Sequence, residues 1–286
     1  MDPAAIRRLI ARHRREGMIL LNVLLMLAVS SVAVLVMIAT QDLEVQRSTR
    51  LRDAAQAGAY ARAGELSAIV VLRRDALVAA GTDNLSEPWA AVGQQAISVP
   101  GGRFALAIQD DQARFNLNHM KGGEAPPIEL FQRIGTVAGV DPATTIRIAT
   151  VVRVAGPLTD LGLLRTAGVP ADQLARLEPW VTVLPVEAMV NLNTVGEPLL
   201  AVITGDPGAA RDLIRRRTVA GFLLPVDLAA AGLPSLAGTG FTSDHYRVVT
   251  TVTVGDTTQR LTSHIARTRT ETGIDVSVRA RQRTAG

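Results

Sequence analysis

Charge vanishes from the chain between Met18 and Ala39, where Asn22, Ser30 and Ser31 are the only polar side chains. Coiled as a helix, this run is roughly 33 Å long, enough to cross a hydrocarbon core of about 30 Å with its backbone hydrogen bonds satisfied internally. A leader carrying Arg7, Arg8, Arg12, Arg14 and Arg15 precedes it, and Asp42, Glu44 and Arg47 follow. The positive-inside rule keeps the leader in the cytoplasm and places the rest of the chain across the membrane. The rival is a secretory signal with Met18–Leu27 as its apolar core and Ala28-Val29-Ser30 as its cut site. The apolar run continues to Ile38, further than a cleaved signal needs.

Beyond the membrane segment the pattern becomes periodic. Leu51, Ala55, Ala59, Ala63, Leu66 and Val70 recur at spacings of four and three, one face of an amphipathic helix, with Arg47, Arg50, Arg52, Asp53, Arg62 and Glu65 on other faces. No proline lies between Pro3 and Pro88, so the spacing predicts one helix from about Met18 to Ala80, ended by Gly81-Thr82-Asp83-Asn84 and Pro88. The small residues from Ala54 to Ala63 suit packing on a sheet; a coiled-coil stalk is the alternative. Phe104, Leu106 and Ile108 alternate within Gly102–Asp110 and predict a strand, and Tyr246–Val254 with Thr258–Arg267 predict a hairpin around Gly255-Asp256 that completes the sheet. Between them, helical periodicity from about Pro126 to Leu177 is broken at Gly139–Pro142, Gly156-Pro157 and Gly168–Pro170, which predicts three or four short helices. A second helical piece spans Gly196–Ala231. Ile274–Val278 is a candidate short strand, and the arginine-rich end from Arg279 is read as frayed.

With 286 residues, 48% of them hydrophobic, the chain can bury one or two cores beyond the membrane. The leader's five arginines, set against Asp2 and Glu16, account for three of the four net positive charges. The far-side part is therefore near neutral and lacks a general electrostatic footprint for nucleic acid. Lys121 is the sole lysine among the 30 basic residues, and the absence of cysteine excludes disulfides and thiolate chemistry. His13, His119, His245 and His264 show no metal-binding spacing and read as surface or turn residues. Asp110-Asp111 reads as a turn whose side chains point to opposite faces. Ser243-Asp244-His245 holds triad residue types without a nucleophile elbow, and no pattern supports an enzyme. Asn191–Thr194 through Gly205-Asp206-Pro207-Gly208 to Arg211 and Arg215-Arg216-Arg217 looks like a helix-hairpin-helix, the basis of an alternative reading as a DNA-binding minor pilin. Asp206 opposes it, placing a negative charge where phosphate would approach.

A short basic leader ending at Gly17, directly before an apolar helix, resembles a type IV prepilin or pseudopilin. In that class a membrane peptidase cuts after the glycine, which implies cleavage between Gly17 and Met18 and a mature chain that keeps the whole helix. Most members carry a glutamate five residues into the mature chain; here that position is Asn22. The K family of large minor pseudopilins in type II secretion systems lacks this glutamate. Asn84–Trp89, Asp111–Asn118, Trp180–Pro185 and Val190–Thr194 resemble stretches of that family in the same order. A carboxylate buried in a fibre needs a cationic partner, so its loss is tolerable in a tip subunit with no neighbour above.

The resemblance implies an α+β fold: a pilin-like long N-terminal helix on a small antiparallel sheet, with an inserted all-helical domain. It divides the chain into a leader (1–17), a transmembrane helix (18–39), the packed helix and first strands (40–123), the inserted helical domain (124–180), strands with a second helical piece and hairpin (181–267), and an arginine-rich tail (268–286). It implies a non-enzymatic minor pseudopilin that caps and initiates the periplasmic pseudopilus from the bacterial inner membrane. Asn22, Ala28, Ser30, Ser31 and Ala33 would pack helices in the fibre. The implied partners are I- and J-type minor pseudopilins, the major pseudopilin, the prepilin peptidase and the inner-membrane assembly platform, with no nucleic acid. Larger members bind calcium in the inserted domain, but Thr150–Asp160 offers one acid and one arginine, too few oxygen ligands, so no cofactor is expected.

Overall fold

The computed structural model describes residues 3–78, 81–93, 96–233, 235–270 and 273–285; positions 79–80 of the expected long helix lie outside them. Helix α1 (Pro3–Val78) runs unbroken for 76 residues. It begins in the leader rather than at Met18, because no proline interrupts it and an isolated glycine such as Gly17 costs a helix only about 1 kcal/mol. Helix α2 (Pro88–Ala91), strands β1 (Ile97–Val99) and β2 (Gly102–Asp110) and a 3₁₀ turn (Asp111–Ala113) follow. An insert then contains β3 (Phe115–Asn116), α3 (Ala125–Val137), α4 (Pro142–Ala155), α5 (Gly162–Thr166), α6 (Ala171–Leu177) and β4 (Val181–Thr182). It continues through β5 (Val190–Asn191), α7 (Glu197–Thr204), α8 (Pro207–Ala220), α9 (Pro225–Ala230) and β6 (Thr239–Gly240). The chain returns as β7 (His245–Val254), β8 (Thr257–Thr270) and β9 (Gly273–Ala285). An antiparallel sheet of order β1-β2-β7-β8-β9 results, with Asp110 of β2 opposite Tyr246 of β7.

Alternate residues of β7, from Tyr246 to Val254, are buried. They share core clusters with Ala57, Ala61, Ala68 and Leu72 of α1. Gly64 allows the closest approach: a Cβ there would stand 2.7 Å from Phe104 and 2.9 Å from Thr250. The face expected to pack is instead the exposed one, since Leu51, Leu66 and Val70 are 64%, 62% and 63% exposed. The half of α1 that follows the uncharged run is apolar on two sides. Periodicity alone does not say which side meets the sheet, and the side of small residues comes nearer to it. Glu65, expected on a polar face, is buried where it accepts two hydrogen bonds of 2.8 Å from Arg281.

That pair also corrects the expectation of a frayed end. Arg281 beside Glu65 holds the glutamate carboxyl below its usual range, and β9 is a full strand paired with β8 from Gln259–Ala285 to Thr270–Gly273. The β7–β8 hairpin is accordingly central, and β9 completes the sheet.

The insert is built from two similar units. Phe115-Asn116-Leu117-Asn118 opens the first and Val190-Asn191-Leu192-Asn193 the second, each beginning in a short parallel bridge, β3 with β4 and β5 with β6. In each, the first asparagine side chain accepts the amide of the second, Asn116 from Asn118 and Asn191 from Asn193. The second asparagine then pairs in both directions with one distant residue. Asn118 donates to the Leu158 carbonyl at 2.9 Å and accepts its amide at 2.8 Å; Asn193 does the same with Leu223 at 3.2 and 2.6 Å. A helix pair follows each time, and its second helix opens on Asp-Pro, Asp141-Pro142 or Asp206-Pro207. One hydrophobic core runs from Phe115 to Leu228, so the expected division at 180/181 falls inside a continuous packing unit.

A buried polar joint ties α1, insert and sheet together. Arg267 of β8 donates to Asp83 at 2.6 Å and to Asp75, near the end of α1, at 3.4 Å, and it lies 5.3 Å from the Tyr246 ring centroid. The Tyr246 hydroxyl donates to Asp83, and Asn191 donates to the Asp83 carbonyl. Asp110, at the end of β2, accepts from Ser243, Thr194 and Asn191. Trp89 packs edge-on against Tyr246 and donates to Glu87, which also accepts from Asn84. Burial, reinforced by the charge of Asp83 and opposed by Arg267, pushes the Asp75 carboxyl up to about 6. Burial likewise pushes Asp110 to about 6 and Glu87 to about 7.

Two predictions arise from this architecture. Asn118→Ala and Asn193→Ala each strip buried backbone groups of their partners, so each lowers unfolding stability in urea by about 3 kcal/mol. Asp75 takes up its proton more readily folded than unfolded, so its contribution is present below about pH 4 and lost as pH rises through about 6. Melting followed from pH 5 to 8 falls with rising pH; Asp75→Asn flattens that slope and stabilises the protein at pH 8 by up to about 3 kcal/mol, while Glu87 and Asp110 retain part of the dependence.

Candidate functional site

Most of the large exposed apolar side chains among the described residues lie on α1. Every side chain described between Met18 and Ala39 is exposed, and the helical backbone passes unbroken through Gly17 and Met18. At roughly 100° per residue, Asn22, Ser30 and Ala33 share one side of the helix, while Ala28 and Ser31 lie on the opposite side. The five residues expected to pack are therefore split between two faces. Ser31 turns its hydroxyl inward to the Leu27 carbonyl at 2.8 Å, which leaves little unmet polarity on its side. Further along, Ala55, Ala59, Ala63, Leu66, Val70 and Leu77 form one exposed apolar stripe on the side away from the sheet. Sequence spacing finds most of these residues but assigns them to the core. The signal for the true inner face is the second small-residue spacing, Ala57, Ala61, Gly64, Ala68.

The other chemical candidates are absorbed by the fold. The α8 amides that a helix-hairpin-helix would offer to phosphate, at Gly208 and Ala209, are taken by the Asp206 carboxylate at 2.7 and 3.2 Å. The arginines after it are also engaged: Arg211 with Glu197, Arg215 with Asp212, Arg216 with Asp227, and Arg217 with the carbonyls of Leu192 and Val195. Ser243 is fully buried on Asp110 and is no nucleophile. Asp110 and Asp111 form a buried anchor rather than a surface turn: Asp110 serves the joint, and Asp111 faces Arg114, Arg247 and His264. His264 thus has a carboxylate partner at 3.0 Å. His119 is half-buried, 2.8 Å from the Ala188 carbonyl, and burial pushes its imidazole pKa down.

For a metal, the stretch 150–160 does not fit calcium: Asp160 is its one acid, and that side chain accepts the Gly162 amide. Among the described residues, the acids that converge are Asp75, Asp83 and Glu87, with ligand atoms within 4.8 Å of one another. Sequence reading missed this group although its members lie within residues 75–87, because only the path of the chain from α1 to α2 brings their carboxylates together. Arg267 supplies the cation there, and Asn84 and Trp89 occupy the Glu87 oxygens.

No family model matches the chain. It is 27% identical over 319 aligned residues to type II secretion system protein K of Pseudomonas aeruginosa, covering 96% of this chain and 94% of the relative. It is 28% identical over 253 residues to the K protein of Klebsiella pneumoniae, covering 73% and 77%. A chain of the crystallised GspK–GspI–GspJ complex of the enterotoxigenic Escherichia coli type 2 secretion system shares its fold, with a TM-score of 0.64 at 17% identity over 83% of this chain and 99% of that one. The K proteins are structural rather than enzymatic, which agrees with a molecule whose triad-like and acidic groups are spent on packing. The chain is a homologue of type II secretion system protein K over about 96% of its length, a minor pseudopilin carried on a long apolar N-terminal helix.

Proposed function

We propose that Met18–Ala39 anchors the chain in the bacterial inner membrane with its leader in the cytoplasm, and that the periplasmic domain caps and initiates the pseudopilus that drives export of folded proteins across the outer membrane. The observation that carries this reading is the exposed apolar stripe of α1. A helix that packs one face on its own sheet and leaves Leu66, Val70 and Leu77 62%, 63% and 69% exposed on another has room for a second helix there. The stripe lies on the same helix as the membrane segment, so the suitable partners are subunits anchored the same way. I- and J-type minor pseudopilins come first, followed by the major pseudopilin and the inner-membrane assembly platform. The three-chain complex formed by the Escherichia coli relative supports that choice.

Asn22 suits a subunit with no neighbour above it, since an amide requires no cationic partner. In the membrane, Asn22, Ser30 and Ala33 on one side and Ala28 and Ser31 on the other give two close-approach faces, enough for two neighbours. Cleavage by the prepilin peptidase between Gly17 and Met18 leaves the whole of Met18–Val78 on the mature chain.

The paired substitution Leu66→Glu, Val70→Glu lowers co-purification with the I- and J-type partners at least tenfold, while melting of the isolated protein shifts by less than about 1 kcal/mol because both positions are exposed. Undiminished recovery of both partners would remove the stripe from the assembly surface. N-terminal sequencing of protein from membranes gives a chain starting at Met18 only where a prepilin peptidase is present. A start at Met1 in both backgrounds refutes the prepilin reading, and a start near Ser31 marks a secretory signal instead.

A further inference from the structure

On the side of the sheet turned away from α1, a groove of about 1420 Å³ separates the strands from the insert. Its floor is formed by β7, β8 and β9, and its wall by 159–165 together with Thr182–Pro185. Among the described residues, seven arginines line it against four acids, with no lysine. The acids are largely committed: Asp111 is buried against Arg114, Arg247 and His264, and Asp160 takes the Gly162 amide. Asp244 stands 3.8 Å from Arg267, itself held by Asp75 and Asp83. Arg260 and Arg279 on the floor and Arg165 on the wall are exposed. Arg247 is held only loosely. Its Nε is buried without a hydrogen-bond partner, 3.6 Å from an Asp111 oxygen, too long for a hydrogen bond.

The shape and chemistry of the groove select an occupant. Small-molecule sites span about 300–1,000 Å³ and are mostly apolar, so this groove is larger and more charged than such a ligand requires. Single-stranded nucleic acid binds on exposed aromatic platforms, whereas Tyr246, the one Phe, Tyr or Trp among the described lining residues, is fully buried. A bilayer surface does not enter a concave cleft. An extended polypeptide does, and its carboxylates match guanidinium forks while Thr262 and Gln282 offer hydrogen bonds to its backbone.

We propose that this groove docks an extended acidic segment of a partner polypeptide. The site is separate from the stripe on α1, and the inference stands whether or not that stripe packs in a fibre.

The test uses the full chain in non-ionic detergent and measures fluorescence anisotropy with a labelled peptide of alternating Glu and Thr. A Lys-Thr peptide and an oligothymidine serve as comparators. The acidic peptide binds with an affinity that falls as salt rises. Arg260→Glu with Arg279→Glu weakens it at least about tenfold and favours the Lys-Thr peptide instead. Arg211→Glu with Arg215→Glu, equally charged but on α8, leaves binding unchanged. Should the reversal disturb folding, as judged by melting, the milder Arg260→Gln, Arg279→Gln pair gives the same direction of loss. Equal losses from the α8 pair, no preference over the Lys-Thr peptide, or tighter arginine-dependent binding of oligothymidine would each overturn the proposal.

Discussion

The close approach of α1 to the sheet at Gly64 governs the arrangement of everything around it. With hydrogen as its only side chain, this residue lets Phe104 and Thr250 occupy space that any Cβ would take, and Ala57, Ala61 and Ala68 extend the same shallow face along the helix. Close contact at that face has two consequences. It brings Glu65 within reach of Arg281 and Asp75 within reach of Arg267, so that two buried carboxylates become anchors between the helix and the outer strands. It also turns the larger apolar residues, Leu66, Val70 and Leu77, outward, where none of the described residues covers them. A larger residue at position 64 would push the helix away and weaken both effects together.

The insert obeys a different rule. Its helices are short, and short helices have little stability of their own. The two asparagine pairs compensate by gripping distant backbone in a fixed geometry, Asn118 on Leu158 and Asn193 on Leu223. The same local design used twice gives two units sharing one core. Capping also accounts for why the hairpin-like segment is structural: a helix start whose amides are filled by its own Asp206 has little left for a phosphate.

The joint at Asp75, Asp83, Tyr246 and Arg267 connects these two designs. It is charged, buried and assembled from the end of α1, the loop before α2 and strands β7 and β8, with Asn191 arriving from the insert. Losing Arg267 would leave the carboxylates of Asp75 and Asp83 without their cation in low dielectric. The relative placement of helix, sheet and insert is thereby held by a few residues whose individual segments look unremarkable in sequence.

The amino-acid sequence by itself determined what depends on local order. An uncharged run long enough for a bilayer, the arginines before it, the alternation in β2 and β7, and the Gly and Pro breaks between the insert's helices all act within a few residues of themselves, so their consequences can be read along the chain. The repeat of Phe115–Asn118 in Val190–Asn193 was also present in the sequence, though its equivalence rests on Leu158 and Leu223, far away in the chain. Tertiary structure alone decided which of two apolar faces of α1 meets the sheet, whether the arginine-rich end becomes a strand, and which acids converge. Each of those outcomes turns on a partner that is distant in sequence: Phe104 for Gly64, Glu65 for Arg281, Arg267 for Asp75. Periodicity reports that a face is apolar, and only close packing against a particular neighbour settles where that face is buried.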